Sequence, residues 1–474
     1  MKLETKVKVN NFLMKNLLYG IFHNGNNPLL RPILLPAVEK GIWLALKNVP
    51  GPVGLPGVLQ DKFYMLRAMV YSGMRFGTTS KFTNTIINKA ILSNLRAEKE
   101  KEFRAIFGFD PPGFMTISPA KKCNLRCRGC YANSASDKDQ LPYNIFSRAI
   151  KEMRDLWGAR FVVVSGGEPM LYKWDNKRII DIFEEHPDSL FLMYTNGSLI
   201  NEDVAKKFGE LGNITPAISV EGMKETTEKR RGNGFFEKIV GTLQLLKKYR
   251  VTFGVSVTAT RINAEEIVSD EFIDFYFHKL GAAYAWVFHY MPIGRDIAPE
   301  LIPTPEQRVM LWNKSWKIIK DKKIMYADFW NHGPVSDGCI SAGRPGGYFY
   351  VDWQANVYPC VFFPYAAANL KEIYERGGNL NDLINLPLHK KIREWQFKYW
   401  QEGDLLRPCP IRDHYLMAKK FVIETKAKPA DEAAAEILSS SDYEKKMASY
   451  DFELKEKTKD IWERIYKNGA RQAV

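Results

Sequence analysis

Cysteine is scarce in this chain, six in 474 residues, so a disulfide scaffold is excluded as the source of its stability. No apolar run reaches about 18 residues without a charge or a proline, and no transmembrane helix is expected. The start lacks the n-region, apolar h-region and cleavage site of a secretory signal. Low-complexity segments and solenoid periods are missing too. Acidic residues are outnumbered, 54 Asp and Glu against 68 Lys and Arg, a net charge of +14. The excess is local, because residues 1–110 hold 16 basic and 7 acidic residues. A surface of that sign suits anionic lipid or nucleic acid. The basic residues are scattered rather than clustered, so nucleic acid is not expected. What remains is a globular composition, 45% hydrophobic and 26% charged, in a chain long enough to bury a sizeable core.

Residues 1–110 read as helical and amphipathic. Over 33–48, Leu35, Val38, Ile42 and Leu46 share one face; over 62–76, Phe63, Leu66, Val70 and Met74 do. Residues 50–57, rich in Pro and Gly, predict an irregular apolar break between them. Such helices either lie in a membrane interface or pack on the rest of the chain. From Pro112 strand and helix patterns alternate. Strands are expected at 113–118, 160–165, 189–195, 214–220, 251–258 and 284–290. The helices between them include one opened by Pro142 with the stripe Phe146, Ala149, Ile150, Met153 and Leu156. Another is capped by Asn201 and ended by Gly212, and a later one starts after Asn263 and ends at Gly281. Six β–α repeats imply an α/β fold, a partial (β/α)6 barrel of the TIM type, since eight are needed for closure. The expected divisions are a helical N-terminal extension 1–110, the barrel 111–300, a distinct segment 301–420 and a helical tail 421–474.

The sharpest signal is Lys122-Cys123-Asn124-Leu125-Arg126-Cys127-Arg128-Gly129-Cys130-Tyr131. The C-x3-C-x2-C spacing folds a short loop so that three thiolates converge. On a four-iron cluster, three thiolates leave one iron without a protein ligand, a place for a small molecule. A zinc knuckle or a redox cysteine set is the alternative, although structural zinc wants four ligands. In such barrels the working groups sit beyond the C-terminal strand ends. Ser165-Gly166-Gly167-Glu168-Pro169 follows the second strand, where two glycines free the backbone to approach a ligand and Pro169 stiffens the turn. Thr195-Asn196-Gly197 follows the third and Ser219-Val220-Glu221-Gly222 the fourth, offering hydrogen bonds to a ribose or a substrate. For Thr195 and Asn196, turn chemistry is the alternative. Thr258, Thr260 and Arg261 follow the fifth strand. His289, Tyr290, Met291, Pro292, Gly294 and Arg295 follow the sixth. His289 and Arg295, with Tyr290 and Arg261, are candidates for binding an anionic substrate group. A lone histidine at a strand end is more often a satisfied structural residue.

The cysteine loop with its Gly-Gly-Glu-Pro turn resembles the signature of the radical S-adenosylmethionine (radical SAM) superfamily. The resemblance implies that the open iron chelates the methionine moiety of SAM and that one electron breaks a sulfonium C–S bond. The resulting 5′-deoxyadenosyl radical takes hydrogen from an unactivated C–H bond. It also implies that Gly166, Gly167, Glu168 and Pro169 hold the methionine amino group and that Ser219 serves the ribose, with Asn196, Glu221 and Tyr131 also cofactor-binding. The family's usual aromatic before the third cysteine is Gly129 here, and Tyr131 follows instead. Cys339, Cys360 and Cys409 flank a hairpin expected at 347–352 and 357–362, which is similar to a SPASM or twitch auxiliary-cluster domain. Such domains usually offer four or more cysteines. Only three are present, so the fourth ligand is expected from His414, Asp413, His332 or the substrate, with zinc on three Cys and one His as the alternative. The implied cofactors are a 4Fe-4S cluster, SAM and a second iron–sulfur cluster. The implied partner is a low-potential donor such as flavodoxin or ferredoxin, in a reducing cytoplasm. A lipid-like substrate at the inner membrane face is expected from the basic amphipathic N-terminal segment and a loose similarity to radical SAM enzymes that couple lipid chains. A peptide-modifying maturase is the alternative.

Overall fold

The computed structural model describes residues 31–47, 55–76 and 94–468; the N-terminal expectations for residues 1–30, 48–54 and 77–93 lie outside them. Ten strands form one sheet. In chain order they are β1 (Phe114–Ile117), β2 (Phe161–Val164), β3 (Leu190–Thr195), β4 (Ile214–Val220), β5 (Gly254–Ala259), β6 (Tyr284–His289), β7 (Met325–Asp328), β8 (Tyr348–Val351), β9 (Asn356–Tyr358) and β10 (Ala368–Asn369). Strands β1 to β7 lie side by side in chain order, all parallel. They are short and rich in β-branched and aromatic residues, and helices return the chain between them, which makes parallel pairing the available solution. The result is an open, partial barrel.

The sheet extends beyond the six expected strands on both sides. β7 adds to β6, and β8 pairs in parallel with β1, Phe114 opposite Tyr348 and Ile117 opposite Val351. β8 then turns back through residues 352–355 into antiparallel β9. The hairpin expected near the second cysteine trio is therefore the neighbour of the strand that leads into the cysteine loop, and it satisfies backbone groups that an edge strand would expose.

Alternation along the strands separates two faces. Val162, Val164, Phe191, Met193, Val255, Val257, Ala285 and Val287 join the large core shared with the helices. Val163, Leu192, Ala217 and Tyr284 fill the concave side. The helix Tyr143–Trp157 buries Phe146, Ala149, Ile150 and Met153 and stops at Gly158, whose φ of 65° suits a residue without a Cβ. Asn201 caps the helix Glu202–Leu211 by accepting from the Val204 amide at 2.9 Å, and Gly212 ends it at φ 64°.

Two expectations are corrected. Pro56 and Gly57 do not belong to the break, because the helix Pro56–Phe76 begins there with proline at its first position, where a missing N–H costs nothing. No α-helix starts directly after Asn263; its side chain accepts from the Thr260 amide and hydroxyl and donates to the carbonyls of Glu221 and Thr258, and regular helix waits until Asp270.

The helix Pro56–Phe76 is docked on the body of the fold. A Cβ on Gly57 would lie 2.7 Å from the Ile465 carbonyl, Lys62 pairs with Asp337 at 2.6 Å, and Ser72 accepts from the Met325 amide at the edge of β7. Tyr466 donates to buried Asp61 at 2.6 Å. Burial raises the Asp61 carboxyl above its ordinary value, against the pull of that hydrogen bond and of Lys320. A raised carboxyl favours the fold while it is protonated, so its contribution is present below the unfolded value of roughly 3.9 and fades as pH rises. Asp61→Asn, which keeps an acceptor for Tyr466, is expected to raise Tm at pH 8 and to leave it unchanged at pH 4, read by calorimetry.

Candidate active site

The cysteine loop leaves the end of β1 and is held from four sides. From β2, the Gly167 amide donates to the Ala120 carbonyl at 2.9 Å and the Glu168 amide to the Lys122 carbonyl at 2.8 Å. A Cβ at Gly167 would lie 2.2 Å from the Lys122 carbonyl oxygen. The glycines therefore admit the backbone of the cysteine loop, a closer reason for them than the approach to a ligand expected from sequence. Gly167→Ala is expected to displace the loop at a cost of about 1–3 kcal/mol and to lower iron per chain after anaerobic reconstitution, read by iron analysis and a thermal midpoint.

Glu168 is fully buried and its carboxylate turns toward β3. It accepts from Thr195 Oγ1 at 2.6 Å, the Asn196 amide at 2.8 Å and the Met170 amide at 3.2 Å. Burial raises its pKa, and the three donors work against that rise. Glu168 thereby locks the third strand's loop to the second's. Asn196 in turn reaches the cysteine loop, donating to Asn124 Oδ1 at 2.9 Å with Cys123 Sγ at 4.0 Å.

From β4 comes a cluster that reading the sequence missed. Glu221 is buried and accepts from Arg230 Nη1 at 2.6 Å and from Arg231 Nε at 2.9 Å. Its carboxylate is thus engaged by two guanidinium groups rather than presented to a ribose. Arg230 also donates to the carbonyl of Arg128, and Arg231 Nη1 approaches Cys127 Sγ at 3.9 Å. Two basic residues at the end of the helix Lys224–Arg231 read as complements of its dipole; only the fold aims them at the sulfurs.

From β6, Arg295 donates to the carbonyl of Cys127 at 3.0 Å and to that of Ser134, and its amide donates to the Cys130 carbonyl. It braces the loop, which corrects its expected role in binding a substrate anion. Tyr290 is corrected likewise. Its hydroxyl donates to the Asp296 carbonyl and accepts from the Ala298 amide, while its ring lies where a side chain on Gly129 would be, 2.6 Å from a Cβ there. Gly129, at φ 65°, is therefore glycine on two counts. Arg261 is exposed and donates to the Ile302 carbonyl at 3.4 Å. His289 shares the outward parity of Ala285 and Val287 and bonds Asp328 at 2.9 Å, away from the concave side. It is the structural histidine of the alternative reading.

Tyr131 accepts from the Gly166 amide at 3.2 Å. Nearby Ser118, Ser165 and Tyr350 form a chain of hydroxyls at 3.0 and 3.1 Å across β8, β1 and β2. The Tyr131 ring meets Phe362 at 5.7 Å, and Phe362 continues into Phe288, Phe329 and Trp330. This aromatic wall leads to a cavity lined by Cys339, Cys360 and Cys409. Tyr348 Oη lies 2.9 Å from Cys360 Sγ, and Cys339 Sγ 3.1 Å from Ser341 Oγ.

Among the described residues no three Cys, His, Asp or Glu side chains converge as preformed metal ligands. The donor chemistry nevertheless fits iron–sulfur groups at both trios. All six cysteines are free and half-buried. Burial pushes the Cys123 thiol up to about 11, against the Leu125 amide that donates to its sulfur, and Glu168 and the two other sulfurs add to the rise. Burial likewise pushes Cys360 and Cys409 up. Thiols so placed ionise when a metal takes the proton's place.

The comparisons agree with this chemistry. Residues 117–271 match the Radical SAM superfamily. The AdoMet-dependent heme synthase of Methanosarcina barkeri is 26% identical over 281 residues, covering 53% of this chain and 77% of that protein. The cysteine-type anaerobic sulfatase-maturating enzyme of Clostridium perfringens is 25% identical over 325 residues, covering 60% of this chain and 82% of that one. In fold, the chain is similar to Streptococcus suis SuiB bound to S-adenosylmethionine, with a TM-score of 0.50 at 15% identity over 74% of this chain and 87% of the other. With a cysteine loop on β1, a parallel partial barrel and a second thiol trio behind it, the chain belongs to the radical SAM superfamily, as an enzyme that uses a 4Fe-4S cluster and SAM and carries an auxiliary-cluster extension.

Proposed function

We propose that Cys123, Cys127 and Cys130 hold the SAM-cleaving cluster and that the enzyme abstracts hydrogen from an unactivated C–H bond of a largely apolar, lipid-like substrate. When bound, the cluster and SAM supply one-electron cleavage of a sulfonium bond, driven by a low-potential electron donor. The chain's own residues do the rest. Arg231 places positive charge beside Cys127, Asn196 and Arg295 hold the loop, and Glu168 keeps two strand-end loops in register. The observation that carries the substrate class is the wall of Tyr131, Phe288, Phe329, Trp330 and Phe362 between the two thiol trios. Such a wall excludes water and competing hydrogen donors, and none of its own five side chains is charged.

Anaerobic turnover with SAM, dithionite and phospholipid bearing deuterated acyl chains tests this reading. Deuterium in 5′-deoxyadenosine supports it; unlabelled 5′-deoxyadenosine with every lipid defeats it. A peptide substrate is the second reading, favoured by the name of the sulfatase-maturating relative, and a labelled peptide in the same assay decides for it.

A membrane-surface location is part of the proposal. Leu66 and Met69, one turn apart on the docked helix Pro56–Phe76, are 38% and 44% exposed. Among the described residues no helix is long and apolar enough to cross a membrane. Leu66→Glu with Met69→Glu is expected to weaken flotation with anionic liposomes at least about tenfold, since each side chain contributes roughly 1.5 kcal/mol or more on burial.

A further inference from the structure

A cavity of about 510 Å³, whose walls hold none of the six cysteines, lies between the end of the helix Pro387–Glu402, residues 403–407 and the helical segments Ser441–Ile461 and Trp462–Lys467. Its size falls within the range of about 300–1,000 Å³ typical of small-molecule sites. Asp451, Lys455, Lys459 and Glu463 follow one another at a spacing of four, so one helix face forms a wall. Four carboxylates line the cavity, and three of them are engaged. Asp451 accepts from Arg407 Nη2. Asp404 accepts from the Leu406 amide at 2.9 Å and from Thr458 Oγ1. Glu463 accepts from Lys467 at 2.7 Å. The fourth, Glu402, is exposed.

The donors of the same walls are in surplus. Trp462 and Arg407 are only 4% and 6% exposed, yet Trp462 Nε1 and Arg407 Nε are buried without a hydrogen-bond partner among the described residues. Lys455 and Lys459 are exposed and form no ion pair among the described residues. Arg407 is fixed in place, since its Nη2 also reaches the Asp413 carbonyl at 3.4 Å and its own carbonyl accepts from His414 Nε2 at 2.9 Å. His414, expected from sequence as a candidate ligand of the second trio, is thereby spent on this wall. A buried donor left unpaired is costly. Two of them beside one cavity, with two unpaired ammonium groups, call for an acceptor-rich anion.

We propose that this cavity binds a small phosphorylated molecule, its phosphoryl group taken by Trp462 Nε1, Arg407 Nε, Lys455 and Lys459. A phosphoryl group brings three strong acceptor oxygens, whereas a carboxylate brings two. The lysines supply charge on flexible stems, and the two buried N–H groups supply fixed direction. The volume leaves room beside the phosphoryl group for the body of a soluble metabolite or of a lipid headgroup, against Tyr399.

Isothermal titration calorimetry of the full-length protein in phosphate-free buffer tests this with glycerol 3-phosphate and with dibutyryl phosphatidic acid. Saturable binding of one molecule per chain is expected, with glycerol inert. Tighter binding of the phosphatidic acid assigns the site to a headgroup, and tighter binding of glycerol 3-phosphate to a soluble metabolite. Trp462→Phe removes one N–H and keeps an aromatic ring; it is expected to weaken binding at least about tenfold, the effect of losing a hydrogen bond to a charged group. Lys455→Gln with Lys459→Gln is expected to weaken it as much. Lys428→Gln with Lys445→Gln, the same charge change outside the cavity, should leave it unaltered. Circular dichroism and a thermal midpoint establish that each variant is folded; should Trp462→Phe fail there, the two lysine pairs decide. Wild-type protein that binds neither probe overturns the proposal. Equal weakening by the two lysine pairs overturns it too, because that is screening by surface charge. Binding that appears only after deletion of residues 469–474 gives the cavity to those residues and overturns it as well.

Discussion

Cys127→Ala is expected to abolish formation of 5′-deoxyadenosine from SAM under dithionite, while the iron of the second thiol trio is retained. The loop offers three sulfurs and no spare. Asn124, a polar neighbour on the loop, is already engaged by Asn196 and Ser198. Loss of a mere supporting partner typically costs about 10–100-fold in metal affinity or activity, so loss of a ligand is expected to exceed about a hundredfold. Arg231 also loses the sulfur neighbour of its Nη1 and keeps the Glu221 pairing through Nε and Nη2. Lys122→Ala, on an exposed residue of the same loop, serves as the control and should retain activity. Product quantified by mass spectrometry, with iron counted in the same sample, checks both halves. Undiminished 5′-deoxyadenosine from Cys127→Ala would sink the assignment of this loop.

Asp413→Ala carries the second large effect, here on stability. Arg308 and Arg412 are among the largest fully buried side chains, and Asp413 is the carboxylate that answers both. Removing one partner of such a group leaves buried charge uncompensated, a loss of about 3–5 kcal/mol. The expected readout is a lower urea midpoint for the cofactor-free protein. After reconstitution, iron at the second trio should also fall, because Asp413 orients the Cys409 amide at 3.1 Å. The pH dependence has a definite sign. Burial would raise the Asp413 carboxyl, but Arg308 and Arg412 outweigh it and hold it well below the usual range. Its stabilisation is therefore complete above the unfolded value of roughly 3.9 and is lost only as pH falls below that. The gap between wild type and Asp413→Ala should stay constant from pH 5 to 8 and narrow in acid. A gap that changed within that neutral range would show that another group controls it.

Much of the chemistry was legible locally. The cysteine spacing, the Gly-Gly-Glu-Pro turn and the strand-end positions are one-dimensional signals, because a loop of ten residues must bring its own cysteines near one another. The six strands showed as short β-branched runs, and Asn201 and Gly212 marked their helix by rules that act within a few residues. The structural reading of His289 was legible too. His289 follows Ala285 and Val287 at a spacing of two, and that parity already assigns it to the helix-facing side of β6.

Other features were not legible, since each depends on which chain segment arrives from far away. Gly129 is glycine because Tyr290 occupies its side-chain space, and Gly167 because the Lys122 carbonyl touches it. Arg231 and Arg295 reach the cysteine loop across more than a hundred residues of sequence, and nothing near either of them in the chain announces that partner. The same holds for β8, whose pairing with β1 joins the second thiol trio to the first.

The sequence by itself determined the kind of chemistry: three cysteines on one short loop suffice to mark a metal centre, since their spacing alone limits how far apart the sulfurs can be. The tertiary structure decided which polar groups remain available to a ligand. Hydrogen bonding is a competition for partners, and only the packed sheet shows that Glu221, Arg295, His332, Asp413 and His414 have already found theirs within the protein.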